Sequence, residues 1–298
     1  SKPFILKNIE TVTGKKIISY AEDLGNTAKL REIIEIEKPL GIIHFAADKA
    51  VNESVLNPIK YYKNNVVNLI KLVEIIDEYN IKSFVFSSSC TVYGTPEHTP
   101  VSEESDIKPA FSPYGFTKQF GEQILVDYFK NKNKSSLTIL RYFNPIGAHP
   151  SALLGELPIG VPSNLIPFIT QSAIGKRGPL TIHGNDYSTP DGTCIRDYIH
   201  VVDLATAHVL ALKKQIKPNR IYNVGLGKGF SVLEVLKSFE KANSLKVNFQ
   251  FGPRRSGDIP EIYANNNLIK KELGWSPKYS LENCLEHSWF WEQNLEKF

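Results

Sequence analysis

The sequence predicts an α/β protein with a doubly wound parallel sheet, followed by a second, smaller α/β domain. Short apolar segments at 41–47, 83–86 and 137–142 have the length and side-chain content of buried strands. Segments with helical periodicity separate them, and this alternation is typical of parallel strands with helices on both faces. A change to Gly- and Pro-rich loops after residue 150 predicts the second domain.

The first part of the chain, 1–150, supplies most of the predicted sheet. Residues 17–24 predict a short strand, and Asn26 is expected to cap the helix that follows it. A long helix is predicted from about 58 to 79, because its apolar residues recur with helical spacing.

The second part, 151–298, is expected to form the smaller domain, with some segments returning to the first. Short strands are predicted at 180–183, 220–224 and 247–251. A helix is expected to begin at Ser231, because a serine and a glutamate stand three residues apart there, as in a capping box. Another helix is predicted to close the chain from 281 to 291.

The composition argues against several classes of protein. A chain of 298 residues with 42% hydrophobic and 22% charged residues is globular. Its net charge of +4 is not gathered in a basic stripe, which argues against nucleic-acid binding. No apolar run approaches the length of a membrane-spanning helix. Three isolated cysteines without metal-ligand spacing argue against a metal site and favour the reducing cytosol.

The sequence opens without the glycine-rich strand–turn–helix with which a dinucleotide-binding fold begins. It also contains no methionine, even at position 1, so we expect it to be part of a longer protein. The glycine-rich segment 225–229 has its third glycine one position early, and the next predicted strand, 247–251, has no acidic residue for a ribose. We interpret 225–229 as a structural turn.

The stretch 112–118 (SPYGFTK) predicts the start of a helix, with Ser112 as its N-cap and Pro113 in its first turn. Tyr114 and Lys118 are four residues apart, so they would lie on one helical face. An ammonium beside a phenol lowers the phenol pKa, and a phenolate is a general base toward a hydroxyl. Tyr114 is therefore a candidate catalytic residue.

The spacing alone is not specific, because Tyr128 and Lys132 repeat it beside a polar run, where we predict a solvated helix end. The serines at 87–89 distinguish the first pair. They follow an apolar strand, and open α/β sheets bind ligands at the carboxyl ends of their strands. A serine at a strand end, a helical tyrosine and its lysine form a set able to transfer a proton.

Longer motifs extend this pattern along the chain. They are 87–94 (SSSCTVYG), 112–118 (SPYGFTK), 141–150 (RYFNPIGAHP), 184–187 (GNDY), 191–201 (DGTCIRDYIHV) and 254–258 (RRSGD). Together they resemble the UDP-glucose 4-epimerases, which are extended short-chain dehydrogenases/reductases. The resemblance covers essentially the whole sequence. It implies a Rossmann-like first domain that is N-terminally incomplete, NAD as cofactor, and UDP-glucose and UDP-galactose as substrates.

The resemblance also implies roles for individual residues. Tyr114 would be base and acid at the sugar 4-hydroxyl, Lys118 would lower its pKa and bind the nicotinamide ribose, and Ser89 would hydrogen-bond the same sugar hydroxyl. Besides Tyr114 and Lys118, cofactor contacts are expected from Asp23, Leu24, Phe45, Ala46, Lys49, Asn64, Ser87 and Tyr142. Besides Ser89 and Tyr114, contacts to the UDP-sugar are expected from Asn144, Asn164, Leu165, His183, Arg196, Arg255 and Asp258.

Other interpretations stay open at this point. Phe45 and Ala46 could be strand core, and Arg196 and Arg255 could form structural ion pairs with nearby aspartates. A plain dehydrogenase would use the same three catalytic residues, and a sugar-nucleotide dehydratase would share the fold, although residues 90–92 (CTV) lack its acidic pair. If the sequence is the whole molecule, a catalytically inactive scaffold is a further alternative. The expected assembly is a homodimer formed by the helices that precede and carry the tyrosine.

Overall fold

The architecture is that of a computed structural model, which describes residues 3–132, 135–158, 160–162, 164–214, 219–255 and 257–295. The helices are α1 (Pro3–Thr13), α2 (Thr27–Glu37), α3 (Val51–Leu56), α4 (Pro58–Tyr61), α5 (Asn68–Glu78), α6 (Pro113–Phe129), α7 (Leu165–Ala173), α8 (Val201–Lys214), α9 (Val232–Asn243), α10 (Asn267–Leu273) and α11 (Leu281–Asn294). The strands are β1 (Gly41–His44), β2 (Ser83–Ser87), β3 (Ser136–Tyr142), β4 (Asn144–Ile146), β5 (Leu180–His183), β6 (Ile195–Arg196), β7 (Tyr198–His200), β8 (Arg220–Val224), β9 (Phe230–Ser231), β10 (Phe249–Gly252) and β11 (Glu261–Ile262). Within the described ranges, none of the helices combines the length and apolar character needed to cross a membrane.

The four-stranded sheet is parallel and has the order β1-β2-β3-β8. Val85 in β2 lies opposite Ile43 in β1 and Thr138 in β3. Because all four strands run the same way, their carboxyl ends meet at one edge of the sheet. The prediction of a parallel α/β sheet is confirmed, and that edge is where such folds bind ligands.

Helices cover both faces of this sheet. Successive strand residues point to opposite faces, so Phe84 and Phe86 pack with α2, α5 and α6, whereas Val85 packs with α8 and α10. Burial on both sides explains why the strands are continuous apolar runs rather than alternating ones. It also places the first residues of α6 and the last residues of β2 side by side.

A second apolar core lies under the later part of the chain. It joins α7, α9 and α11 to β5, which pairs in parallel with β10. Helix α9 is fixed by the predicted capping box: Ser231 Oγ accepts a hydrogen bond from Glu234 N–H (3.0 Å), and Ser231 N–H donates to the Glu234 carboxylate (2.7 Å).

The strand predicted at 17–24 is wrong, because this segment is irregular. Ile17 N–H donates to the side chain of Glu10 (3.4 Å) rather than to a neighbouring strand, and Ile18 and Tyr20 are exposed. A strand requires a partner for its backbone hydrogen bonds. Segment 17–24 pairs with none of the described strands.

The strand predicted at 220–224 is a segment from the second part of the chain that lies in the first sheet. These residues form β8, which pairs with β3 and completes the four-stranded sheet. Tyr222 and Val224 pack toward α8, while Ile221 packs against the opposite face. A strand that is apolar on both faces belongs inside a covered parallel sheet. The division of the chain at residue 150 stays a prediction.

The long helix predicted from 58 to 79 is interrupted by a π-helical segment, Tyr62–Val67, between α4 and α5. The amide of Asn65, in this segment, donates to Asp48 O (2.9 Å) and Thr117 Oγ1 (3.1 Å) and accepts from Asp48 N–H (2.8 Å). The wider turn thereby ties the loop after β1 to helix α6. Single π turns inside helices are frequent near functional sites.

Candidate active site

Helix α6 begins beside the carboxyl edge of the sheet, as the motif predicts. Ser112 Oγ accepts a hydrogen bond from Gly115 N–H (3.2 Å), and Pro113 occupies the first turn. Tyr114 and Lys118 both point inward, with exposed fractions of 8% and 5%. The second Tyr–Lys pair lies near the end of the same helix, where both side chains contact one exposed aspartate.

The serines at 87–89 lead from β2 into a short 3₁₀ turn, Cys90–Tyr93. Ser89 caps this turn, because its Oγ accepts a hydrogen bond from Thr91 N–H (3.3 Å). The Ser89 hydroxyl also lies near the Tyr114 phenol and acts to lower its pKa. The structure therefore brings together two of the three predicted catalytic side chains.

Lys118 lies against the end of β2. Its Nζ donates to Ser87 O (2.7 Å) and sits 5.0 Å from the centre of the Phe86 ring. Burial lowers the pKa of Lys118 to about 8, and the nearby Glu122 carboxylate opposes that shift. An ammonium with this pKa is largely charged at neutral pH but gives up its proton far more readily than a lysine in water.

Burial is also the main influence on Tyr114, and it raises the phenol pKa above the ordinary value. The neighbouring phenol of Tyr142 raises it further, and only Ser89 among its main influences lowers it. The expectation that Lys118 makes this phenol acidic is therefore not met by the chain alone. The ammonium is directed at the Ser87 carbonyl, where it stabilises the strand end rather than the phenolate.

His208, in α8, supports three predicted cofactor residues and was missed by sequence reasoning. Its Nδ1 lies 2.9 Å from Leu204 O, so Nδ1 carries the proton and Nε2 accepts from the Ser87 hydroxyl (3.2 Å). Its ring packs against Phe45 and Tyr142, with centroid distances of 4.5 and 6.2 Å. Burial lowers the His208 pKa, which favours this neutral form. Its helical position carries no sequence signal for this role.

The predicted adenine-side residues lie beside β1. Leu24, Phe45 and Ala46 line a largely apolar cleft of about 380 Å³. Asp23 stands next to Leu24, and its carboxylate accepts a hydrogen bond from Gly25 N–H (2.6 Å). Phe45 and Ala46 are exposed, so the alternative that they are strand core is wrong.

Two further predicted cofactor residues have other partners in this structure. Lys49 Nζ lies 3.5 Å from the Glu156 carboxylate. Asn64, in the π-helical segment, donates to Asn65 Oδ1 (3.2 Å) and accepts from Asn68 Nδ2 (3.4 Å). Their roles toward the cofactor stay predictions.

Three of the predicted substrate residues meet at one carboxylate. Asp258 lies 3.1 Å from Arg255 Nε and 3.8 Å from Arg196 Nη2. The ion pair considered for Arg255 is thus present, whereas Arg196 pairs with Asp258 and not with its neighbour Asp197. Two guanidinium groups held side by side remain suited to a diphosphate, because their planar forks match phosphate oxygens.

The other predicted substrate residues are spread around this pair. Asn144 Nδ2 donates to Asp197 O (2.7 Å), and Asn164 Nδ2 donates to Glu156 Oε1 (2.8 Å). Leu165 begins α7, and His183 Nδ1 lies 3.2 Å from a backbone oxygen at the end of β10. Their roles toward a sugar nucleotide stay predictions.

The Asp197 carboxylate holds the glycine-rich turn at 225–229 in place. Burial raises the pKa of this carboxyl to about 7, and four backbone N–H donors at 2.7–3.0 Å oppose the rise. The donors belong to Tyr198, Leu226, Gly227 and Ala264. A Cβ on Gly225 would come within 2.4 Å of the same carboxylate. The backbone groups that would cradle a phosphate are already occupied, which confirms that the turn is structural.

The parallel sheet, with Ser89, Tyr114 and Lys118 at its carboxyl edge, defines the class as an α/β enzyme of the short-chain dehydrogenase/reductase type. A family model described as GDP-mannose 4,6 dehydratase matches residues 2–288. The UDP-glucose 4-epimerase of Haemophilus influenzae is 45% identical over 299 residues, which span 100% of this chain and 88% of the relative. The Bos taurus UDP-glucose 4-epimerase is 43% identical over 98% of this chain and 85% of its own length.

Solved structures agree with these relatives. The Bifidobacterium longum UDP-glucose 4-epimerase, in complex with NAD⁺ and UDP, matches with a TM-score of 0.95 and 42% identity, covering 99% of this chain and 89% of that one. The Stenotrophomonas maltophila enzyme, with bound NAD and formylated UDP-arabinopyranose, matches with a TM-score of 0.96 and 38% identity, covering 100% and 89%. The chain belongs to the UDP-glucose 4-epimerase family.

The residues at the carboxyl edge of the sheet fit the nicotinamide half of NAD. The buried ammonium of Lys118 and the phenol of Tyr114 are donors suited to ribose hydroxyls. The exposed ring of Phe45 offers a flat apolar surface at the end of β1. The Thr91 hydroxyl, in the 3₁₀ turn that follows Ser89, is buried without a hydrogen-bond partner.

Replacing Lys118 by Met should stabilise the fold at pH 7. Below pH 8 the lysine is charged in the folded and unfolded chains, so the cost of burying that charge is present in full. The cost disappears as pH rises from 8 to 10.5, because the folded chain loses the proton first. A pKa lowered from 10.5 to about 8 corresponds to a burial cost of about 3 kcal/mol at pH 7. Lys118→Met removes this cost but also loses about 1 kcal/mol with the Ser87 hydrogen bond, so we expect it to be more stable by about 2 kcal/mol.

The measurement is urea unfolding of both proteins between pH 6 and 10.5, where the difference should shrink above pH 8. Lys132→Met, at a partly exposed lysine, is the control and should change stability little at any pH. A Lys118→Met protein less stable than wild type at pH 7 would contradict the burial argument.

Proposed function

We infer that this chain is an NAD-dependent UDP-glucose 4-epimerase, which interconverts UDP-glucose and UDP-galactose through a transient 4-keto sugar. The observation that carries this conclusion is that Ser89, Tyr114 and Lys118 are all buried at the carboxyl edge of a parallel sheet, with the Lys118 ammonium bonded to the end of the strand that leads to Ser89. Full-length relatives named UDP-glucose 4-epimerase, 43–45% identical to this chain, support the same conclusion.

In the proposed mechanism, Tyr114 takes the proton from the sugar 4-hydroxyl and later returns it to the 4-keto oxygen. Ser89, whose hydroxyl lies near the phenol, orients the sugar oxygen and passes the proton. When bound, oxidised NAD would supply the hydride acceptor, and in its reduced form the hydride donor, for C4, and its positive charge would favour the Tyr114 phenolate. Return to the opposite face inverts C4, with no net change in protons or electrons.

Lys118 would hold the nicotinamide ribose and add positive potential to the site. Its ammonium is fixed by the Ser87 carbonyl, so it is already in place before a ligand arrives. Arg196 and Arg255 would bind the diphosphate of the nucleotide, which would then replace Asp258 as their anionic partner. Dehydratase chemistry is not favoured, because the turn Cys90–Tyr93 carries no carboxylate.

We expect Tyr114→Phe to reduce turnover of UDP-galactose by at least about 10²–10⁴-fold, because the acid and base of the proposed mechanism is removed. UDP binding should stay near the wild-type value, because the nucleotide contacts lie elsewhere. Coupled turnover assays and calorimetric titration with UDP measure the two quantities. Tyr128→Phe, in the exposed repeat of the same spacing, is the matched control and should retain full activity. Near-wild-type turnover by Tyr114→Phe would remove the central assignment.

The three cysteines support a cytosolic location as a further proposal. Cys90, Cys194 and Cys284 are free thiols in this structure. Thiols that stay unpaired are typical of a reducing compartment.

A homodimer is also proposed, formed by an apolar surface on the outer side of α3, α4, the π-helical segment and α6. This outer apolar surface consists of Val55, Leu56, Ile59, Val67 and Phe120, all exposed, with Leu56 exposed by 79%. Phe120 also lies beside the ring of Tyr62, at a centroid distance of 6.3 Å. Contiguous exposed apolar side chains on neighbouring helices are typical of subunit interfaces.

Leu56→Glu should weaken this homodimer, because it places an unpaired charge at the centre of an apolar contact. We expect the sedimentation velocity profile to move from a dimer to a monomer at micromolar concentration. Leu40→Glu, at another exposed leucine outside this surface, should leave the profile unchanged. A dimer that survives Leu56→Glu at the same concentration would contradict the proposed interface.

A further inference from the structure

A buried carboxylate lies one helical turn beyond Lys118. Glu122 is only 4% exposed, and its carboxylate accepts a hydrogen bond from the Ser88 hydroxyl. Arg141, in β3, approaches the same carboxylate with Nε at 3.1 Å and Nη2 at 2.6 Å. An ion pair this deeply buried is costly to assemble, and its geometry makes it strongly directional.

The contacts of Glu122 connect the three elements that carry the candidate catalytic and cofactor residues. Ser88 stands between Ser87, whose carbonyl accepts from Lys118, and Ser89, whose hydroxyl lies near Tyr114. Arg141 directly precedes Tyr142 at the end of β3. A single carboxylate on α6 therefore fastens the end of β2 and the end of β3 to the helix that carries the tyrosine.

Arg141 also makes hydrogen bonds away from Glu122. Its Nη1 donates to Tyr93 OH (3.2 Å), and that hydroxyl donates to Asn223 Oδ1 (2.7 Å). Asn223 Nδ2 in turn donates to Val101 O (3.0 Å). A buried hydrogen-bonded network is rigid, because each group would lose a partner if another moved.

Electrostatics connect Glu122 to Lys118. Lys118 is buried, and Glu122 is the group that raises its pKa against the effect of burial. Other titratable groups around this buried region are His44 on β1 and Tyr142 on β3. Burial and the charge on Lys118 lower the His44 pKa to about 4, and burial raises the Tyr142 pKa, so both are neutral at pH 7. Arg141 lies on the far side of the carboxylate.

We propose that Glu122 is a positioning residue for the reaction: its carboxylate, through Ser88 and Arg141, fixes the strand end that carries Ser87 and Ser89, and it favours the charged form of Lys118. The inference rests on the proposed function, because it takes Tyr114 and Lys118 as the catalytic site. In this proposal Glu122 touches neither substrate nor cofactor. It acts on the reaction through Lys118 and through the serines at 87–89.

The test is the titration of Lys118 in the full chain, followed by NMR of ¹³C-labelled lysine side chains and assigned with Lys118→Met. In Glu122→Gln the titration midpoint of Lys118 should fall by about half a pH unit or more. The variant should also lower kcat more than it raises KM for UDP-galactose, because substrate contacts are unchanged. The NMR readout requires no turnover, so its result is independent of whether the epimerase assignment is right.

Glu292→Gln is the matched control. Glu292 is also 4% exposed and accepts from a hydroxyl (Thr170 Oγ1, 3.2 Å) and from an ammonium (Lys176 Nζ, 2.9 Å), but it belongs to the second core. Both substitutions should lower the melting temperature, and only Glu122→Gln should move the Lys118 midpoint. An unchanged midpoint in folded Glu122→Gln, or an equal shift in Glu292→Gln, would overturn the proposal.

A second measurement applies if Glu122→Gln does not fold. The ¹³C chemical shift of the Glu122 carboxyl in the wild-type chain reports its charge directly. The proposal requires an ionised carboxylate at pH 7. A protonated Glu122 at that pH would overturn it.

Discussion

The site depends on a single constraint, the burial of the Lys118 ammonium against the Ser87 carbonyl at the end of β2. Burying a charge is unfavourable unless it is hydrogen-bonded and balanced, so the surrounding residues must meet both conditions. The carbonyl supplies the hydrogen bond and Glu122 supplies the opposite charge. The placement of the start of α6 against the end of β2, which also sets the position of Tyr114, meets both conditions.

The serines at 87–89 show how the strand end is held. The Ser87 hydroxyl is held by His208 from α8, whereas the Ser88 hydroxyl donates to Glu122 on α6. Successive strand residues point to opposite faces, so the two hydroxyls reach helices on opposite sides of the sheet. Ser89, released from the strand by the 3₁₀ turn, lies near Tyr114. Because the Ser87 and Ser88 hydroxyls are held in place, Ser89 is positioned beside Tyr114.

The parallel sheet was predictable, because strands apolar on both faces have a distinctive run of side chains. The start of α6 was predictable too, because Ser112 and Pro113 act locally. The prediction of a strand at 17–24 was wrong because a strand requires a neighbouring strand to pair with, and the residues of the segment do not encode that neighbour. The role of His208 was hidden for a related reason: its contact with Ser87 joins residues 121 positions apart, so no local pattern indicates it. The effect of burial on the Tyr114 and Lys118 pKa values likewise depends on the folded surroundings rather than on their spacing.

The most direct test of the central claim is the ionisation of Tyr114 in the presence of oxidised NAD. Burial alone raises the phenol pKa, so the account requires the cofactor's positive charge to lower it. The measurement is the phenolate ultraviolet difference spectrum of wild type minus Tyr114→Phe, recorded against pH with NAD⁺ bound. The account predicts a phenolate that forms within about one or two units of neutral pH, where a general base is effective. A Tyr114 that stays protonated up to about pH 10, the range of an ordinary tyrosine, would contradict it.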